Sequence, residues 1–211
     1  MLENIEVLIH SSIRIKGEKI IYIDPFKINK QYNDADFVFI THDHYDHYSE
    51  EDIAKVRKNN TVFIVPCSIE RKLLKLGIMQ HNVIPIIPNK VYTEYGLEFK
   101  TIPAYNLNKP FHPKENGWVG YIIKLNNTRY YIAGDTDITP ENKQVKCDIA
   151  FVPVGGTYTM NAKEAAILVN EIKPKIAIPI HYGDIVGKES DADEFINCLN
   201  SNIEGKKLIK I

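Results

Sequence analysis

The apolar positions of this chain fall into short runs separated by turn-forming residues. Residues 5–9, 20–23, 37–40, 62–65, 83–87 and 98–102 form such runs in the first half, and 119–125, 129–132, 149–154 and 176–180 in the second. They are rich in Ile, Val, Tyr and Phe and bounded by Gly, Pro, Asn or Asp, which predicts β-strands. Asn126-Asn127 lies between two runs and predicts a hairpin over 119–132. Helical signals are fewer. Ser49-Glu50-Glu51-Asp52 sets a cap and an acidic first turn ahead of Ile53, Ala54 and Val56. Ser68 opens a second helix that Gly77 ends. Asn161 and Glu164 form a capping pair ahead of Ala165–Val169, with Pro174 beyond, and residues 190–200 have the same character. Strands outnumber helices, with helices placed between them, so the expected class is α/β or α+β, a layered sandwich whose loops carry the chemistry. No repeat or linker-like stretch interrupts the pattern, and one domain over 1–211 is expected.

Composition narrows the function by exclusion. The 26 Lys and Arg stand against 27 Asp and Glu, a net charge of -1, so nothing global favours a nucleic acid or an anionic membrane as partner. Cys67, Cys147 and Cys198 are odd in number and far apart, which fits neither a disulfide framework nor a zinc ribbon. Each adjoins an apolar run, so all three are expected as small buried hydrophobes in a reducing compartment. The start of the chain, with Glu3 and Glu6, lacks the pattern of a signal peptide. No run approaches the ~18 apolar residues of a membrane span. A cytoplasmic protein is expected.

The segment Thr41-His42-Asp43-His44-Tyr45-Asp46-His47 changes the picture. It follows an apolar strand and precedes a helix, and it packs three His and two Asp into six positions. Neutral imidazoles and carboxylates suit zinc, and also manganese or iron. On extended backbone His42 and His44 point to the same side, and the turn that follows redirects Asp46 and His47. Such a divided set fits two ions about 3.5–4 Å apart. Without a cation these side chains would be costly to desolvate together.

His-x-His-x-Asp-His after a strand resembles the signature of the metallo-β-lactamase superfamily. Tyr131-Ile132-Ala133-Gly134-Asp135-Thr136 is similar to its aspartate motif, and Ile178-Pro179-Ile180-His181-Tyr182-Gly183 to its final histidine motif. Val152-Pro153-Val154-Gly155-Gly156 matches the strand between them. Ile9-His10-Ser11-Ser12, Tyr22-Ile23-Asp24-Pro25 and Thr159-Met160 are similar to a small single-domain branch that includes the ascorbate-6-phosphate lactonase-like proteins. The resemblance implies a four-layer αββα sandwich with a dinuclear centre. One ion would take His42 and His44, the other Asp46, His47 and His181, and Asp135 would bridge them. The implied reaction is attack by metal-activated water, with Asp46 helping to orient it.

One position departs from that pattern. The family usually supplies a further histidine between His47 and Asp135, and Asn106 stands where it is expected. An amide oxygen is a weaker zinc donor than imidazole, which leaves one or two ions open. His112 can loop back as the missing ligand, line the substrate pocket, or be an ordinary loop residue. His10 is either a group close behind the metal ligands or a buried hydrogen-bonded histidine, and His81 reads as structural or exposed. Lys109, Lys114 and Arg129 are candidate anion binders, and Tyr105, Phe111, Trp118, Tyr158 and Tyr182 candidate pocket walls.

The leading expectation is a metal-dependent hydrolase acting on a lactone or phosphodiester of a small molecule, monomeric or a homo-oligomer. The alternative is a non-catalytic metal-binding or sensing protein with an incomplete first site. Oxidoreduction is disfavoured, since the chain has no flavodoxin-like extension.

Overall fold

The computed structural model describes residues 2–208; the ends of the expected domain, residue 1 and residues 209–211, lie outside the described residues. The chain groups into two compact units, residues up to 87 and residues 88–208.

The first unit is built on a six-stranded sheet in chain order: β1 (Ile5–Ile9), β2 (Ser12–Lys16), β3 (Ile20–Ile23), β4 (Ala35–Phe39), β5 (Arg57–Pro66) and β6 (Val83–Ile86). β1, β2 and β3 pair antiparallel, whereas β3 to β6 run parallel. Parallel neighbours need crossovers. Helix α1 (Glu50–Val56) supplies the one between β4 and β5, and α2 (Cys67–Lys75) the one between β5 and β6. Ile53 and Val56 of α1 and Ile69 and Leu73 of α2 share one core with Val38, Ile40, Phe63 and Val65. The alternate residues Phe37, Phe39, Val62 and Ile64 are buried as well. Burial on both faces explains why residues 37–39 of β4 and 62–65 of β5 read as continuous apolar runs, whereas the polar start of β5, Arg57 to Asn60, is exposed or half-buried.

The expected helix start at Ser49 is found, its side chain accepting the Asp52 N–H. The second helix begins at Cys67 after Pro66, with no side-chain cap, one residue ahead of Ser68. Strand β2 lies outside the expected apolar runs: Ser-Ile-Arg-Ile-Lys alternates apolar and polar positions, the pattern of a half-buried strand. Its Arg14 is held by Glu6 and Asp34, with the guanidinium over the Tyr22 and Tyr32 rings.

The second unit carries a seven-stranded sheet: β7 (Val91–Glu94), β8 (Leu97–Pro103), β9 (Val119–Leu125), β10 (Thr128–Ile132), β11 (Ile149–Pro153), β12 (Ile176–Ile180) and β13 (Glu204–Gly205). β7 to β10 form an antiparallel meander, and β10 to β13 run parallel. The hairpin between β9 and β10 turns at Asn126 and Asn127, both with positive φ, as a tight two-residue turn requires. Helix α3 (Ala162–Ile172) starts on the expected Asn161–Glu164 capping box and buries Ala165, Ala166, Leu168, Val169 and Ile172. Helix α4 (Glu189–Asn197) starts one residue ahead of the expected span and ends three before it.

The cysteine expectation is corrected in part. Cys147 is buried, but Cys67 and Cys198 are exposed. Cys67 lies in the first turn of α2, off the face that buries Ile69 and Leu73, and Cys198 caps the end of α4. Among the described residues no helix is long and apolar enough to cross a membrane.

Candidate functional site

In the first unit the candidate donors sit at the ends of β1 and β4 and are supported from the end of β3. A turn closed by His47 N–H and Tyr48 N–H on the His44 carbonyl folds the motif back on itself. It brings the His42 ring centroid to 4.7 Å from His44 and 3.9 Å from His47. His42, Asp46 and His47 are buried. Asp43 takes no part; it turns outward to pair with Lys72 of α2 at 2.8 Å. His10 is fully buried, and its Nε2 lies 3.1 Å from Asp46 Oδ2, which is 3.6 Å from His47 Nε2. His10, Asp46 and His47 each offer a ligand atom within 4.8 Å of the others.

Asp24, buried at the end of β3, organises this cluster. It accepts the Thr41 N–H at 2.8 Å and the Thr41 hydroxyl at 2.7 Å, and it lies 2.8 Å from His47 Nδ1. Burial pushes its carboxyl upward, against His47 and Thr41, which favour the ionised form. With both oxygens accepting from Thr41, Asp24 acts as a carboxylate acceptor, so His47 carries its proton on Nδ1 and presents the lone pair of Nε2. The Thr41 hydroxyl spends its single proton on Asp24, so it accepts at 3.0 Å from His42 Nδ1. His42 therefore presents Nε2 as well. This pinning of imidazole protons by outer hydrogen bonds is how metal-binding histidines are oriented. His10 and Asp24 both have positive φ, a backbone cost that clusters at functional sites.

In the second unit Asp135 follows β10, with Gly134 at a positive φ ahead of it, and His181 follows β12. His181 Nε2 lies 3.1 Å from Asp135 Oδ2, and His112 Nε2 lies 3.3 Å from the same oxygen. All three are buried. The loop after β8 has carried His112 back to the aspartate. It is closed by Asn106 N–H donating to the His112 carbonyl at 2.8 Å and His112 N–H donating to Asn106 Oδ1 at 3.1 Å. Asp137 holds the loop from below, accepting the Leu107 N–H at 3.0 Å and pairing with Lys109, whose ammonium also reaches the Thr159 carbonyl. His181 has positive φ, and Gly155 lets it come close: a Cβ there would stand 2.4 Å from the His181 carbonyl oxygen. Only glycine fits that approach.

The other candidates sort cleanly. Lys109, Lys114 and Arg129 are committed to Asp137, Glu141 and Asp148, so their charge is already matched within the unit. Tyr105 donates to Glu141, and Trp118 packs edge-on to His112 at 5.6 Å. Phe111 meets Tyr158 edge to face at 4.7 Å, with Phe111 exposed. Burial pushes the Tyr182 phenol up to about 12, so it stays protonated at neutral pH. His81 is exposed. Sequence reasoning gave Asp24 only as a branch resemblance and gave Thr41 and Asp137 no role. The available signal was position: an acid or hydroxyl directly after an apolar strand, beside a donor motif.

The comparisons with known proteins agree with this chemistry. Residues 4–181 match the family model described as a beta-lactamase superfamily domain, so the chain belongs to the metallo-β-lactamase superfamily. A UPF0173 metal-dependent hydrolase of Lawsonia intracellularis is 31% identical over 207 residues, covering 91% of this chain and 88% of its own. Another from Pyrococcus abyssi is 28% identical over 208 residues, covering 90% and 89%. A crystal structure of a Parabacteroides distasonis protein superposes with a TM-score of 0.82 at 29% identity, covering 98% of this chain and 93% of its own. The metallo hydrolase Igni18 of Ignicoccus hospitalis has the same fold, with a TM-score of 0.79 at 22% identity. This protein is a metal-dependent hydrolase.

Proposed function

We propose that the protein hydrolyses an ester-like bond, a lactone or phosphodiester, in a small molecule, using water activated by one or two divalent ions, zinc first and manganese or iron as alternatives. The donors are His42, His44, Asp46 and His47 of the first unit and Asp135, His181 and His112 of the second. All but His112 are the set that the family resemblance implies. The observation that carries this reading is the state of three imidazoles: acceptors behind His42, His47 and His112 place the proton on Nδ1, and the Nε2 atoms of His47 and His112 face carboxylate oxygens. A neutral Nε2 lone pair 3.3 Å from a carboxylate oxygen, as at His112 and Asp135, calls for a cation or a proton between them. Imidazole and carboxylate donors fit zinc, and iron or manganese less selectively.

A bound divalent ion lowers the pKa of water toward about 7 and stabilises charge developing on the attacked group. The chain supplies the rest. Asp24 and Thr41 keep His42 and His47 in one tautomer. Asp46 has a carboxylate oxygen in reach of two imidazoles and is the proton acceptor that orients the attacking water. Asp135 gathers His112 and His181. Phe111 and Tyr158 offer the substrate an apolar edge near His112. The branch resemblance supports a lactone or phosphodiester substrate. The three unpaired cysteines, two of them exposed, support the cytoplasm as the place of work.

The test is turnover of a chromogenic phosphodiester and of a simple lactone by protein loaded with zinc, manganese or iron(II). Hydrolysis of either that is lost in His47→Ala and on chelation is the expected result. Failure of every metal form on both substrate types would remove the ester-like assignment.

A further inference from the structure

The residue that breaks the family pattern has a defined set of contacts. Asn106 is buried, and four hydrogen bonds tie it to its surroundings. Its backbone N–H donates to the His112 carbonyl, and its Nδ2 donates to the Tyr158 carbonyl at 3.0 Å. Its Oδ1 accepts the His112 backbone N–H at 3.1 Å and lies 3.0 Å from His112 Nδ1. Two backbone groups of opposite kind therefore fix which end of the amide is which. The Tyr158 carbonyl can only accept, so it faces the amide nitrogen. The His112 N–H can only donate, so it faces the amide oxygen. With the oxygen placed, His112 Nδ1 must be the donor in their contact, and the proton of the neutral ring sits there.

We propose that Asn106 is not a weak metal ligand but a positioning residue. It locks His112 in the Nδ1–H tautomer, so that Nε2 serves as the donor the family takes from a histidine at this place in the sequence. His112 stands six residues further along the loop, and the residue at the family's position holds it there. Asp137 ties the loop at Leu107 and Lys109, and Trp118 packs edge-on to the His112 ring. The inference rests on the reading above that His112 is a metal donor.

The test uses zinc-loaded protein and reads structure and affinity instead of turnover. Long-range proton–nitrogen NMR correlations on the His112 ring should place its proton on Nδ1; a proton on Nε2 would overturn the proposal. Zinc titration of Asn106→Ala should show one equivalent weakened about 10–100-fold, the usual effect of removing a partner behind a ligand. Asn106→Asp keeps the accepting oxygen but sets its second oxygen against the Tyr158 carbonyl, so its zinc affinity should fall less than that of Asn106→Ala; an equal or larger fall would count against the lock. Should Asn106→Ala fail to fold, the same correlations on the metal-free parent decide: with no ion on Nε2, a proton on Nδ1 supports the lock and a proton on Nε2 overturns it. Loss of zinc in His112→Ala with parent-like affinity in Asn106→Ala would refute the lock alone. Unchanged zinc in His112→Ala would refute the donor reading on which it stands.

Discussion

The two units share a scheme and differ in how they assemble chemistry. Each runs antiparallel strands into parallel ones, and each takes most of its candidate donors from loops that follow strands. The first unit places four donors within residues 42–47, so one turn makes the cluster. The second collects His112, Asp135 and His181 from three loops, and only the order of the strands brings them together. Support differs in the same way. Asp24 reaches Thr41 and His47 along neighbouring parallel strands, whereas Asn106 holds His112 across a loop that closes on itself. A contiguous cluster tolerates drift in the fold around it. A dispersed one depends on each loop keeping its shape.

The largest effect should come from the donors. His47→Ala in the first unit and Asp135→Ala in the second should each take hydrolysis to background and lower bound metal, measured by turnover and elemental analysis. Full metal in one of them would show that its unit is not a metal site. Next in size is Asp24→Asn, which leaves His47 without its carboxylate. Metal affinity should fall about 10–100-fold, by zinc titration, with the fold retained by circular dichroism. An effect as large as that of His47→Ala would mean that Asp24 does more than orient.

Gly155→Ala tests the dispersed unit's dependence on shape. The added methyl meets the His181 carbonyl and Val186, and overpacking of this kind costs about 1–3 kcal/mol in denaturant unfolding. A stability equal to the parent's would show that the His181 loop yields freely. The smallest effect concerns α1, which follows the contiguous motif. Burial would raise the Asp52 carboxyl, but hydrogen bonds from Ser49, Lys55 and the Ile28 N–H hold it below its ordinary value. Its contribution to stability is therefore complete above the unfolded value of about 3.9 and drains as pH falls through the lower folded value. Asp52→Asn should lower the unfolding midpoint modestly at pH 7 and flatten its dependence below pH 4. A slope identical to the parent's would remove Asp52 from that account.

Much of this was legible in the sequence for a physical reason. Strands buried on both faces write themselves as apolar runs, and four donors in one turn can be seen without a fold. Strand β2 stayed hidden because Arg14 and Lys16 break its run, although Arg14 finds Glu6 and Asp34. The second unit is legible through short motifs at Asp135 and His181, which say nothing of His112. Nothing local says that a loop histidine returns to an aspartate; that depends on the Asn106 ring of hydrogen bonds and on Asp137. Asp24 was hidden for the complementary reason. An acid at a strand end is ordinary until the neighbouring strand is known to deliver a histidine beside it.

The most direct test of the central claim is zinc bound per chain, by elemental mass spectrometry, for the parent and for His47→Ala, His112→Ala and His181→Ala prepared alike. Both units supplying metal donors predicts a loss in all three variants, at least one equivalent each. Parent-like zinc in His112→Ala and His181→Ala, with loss only in His47→Ala, would confine the metal to the first unit and contradict the account.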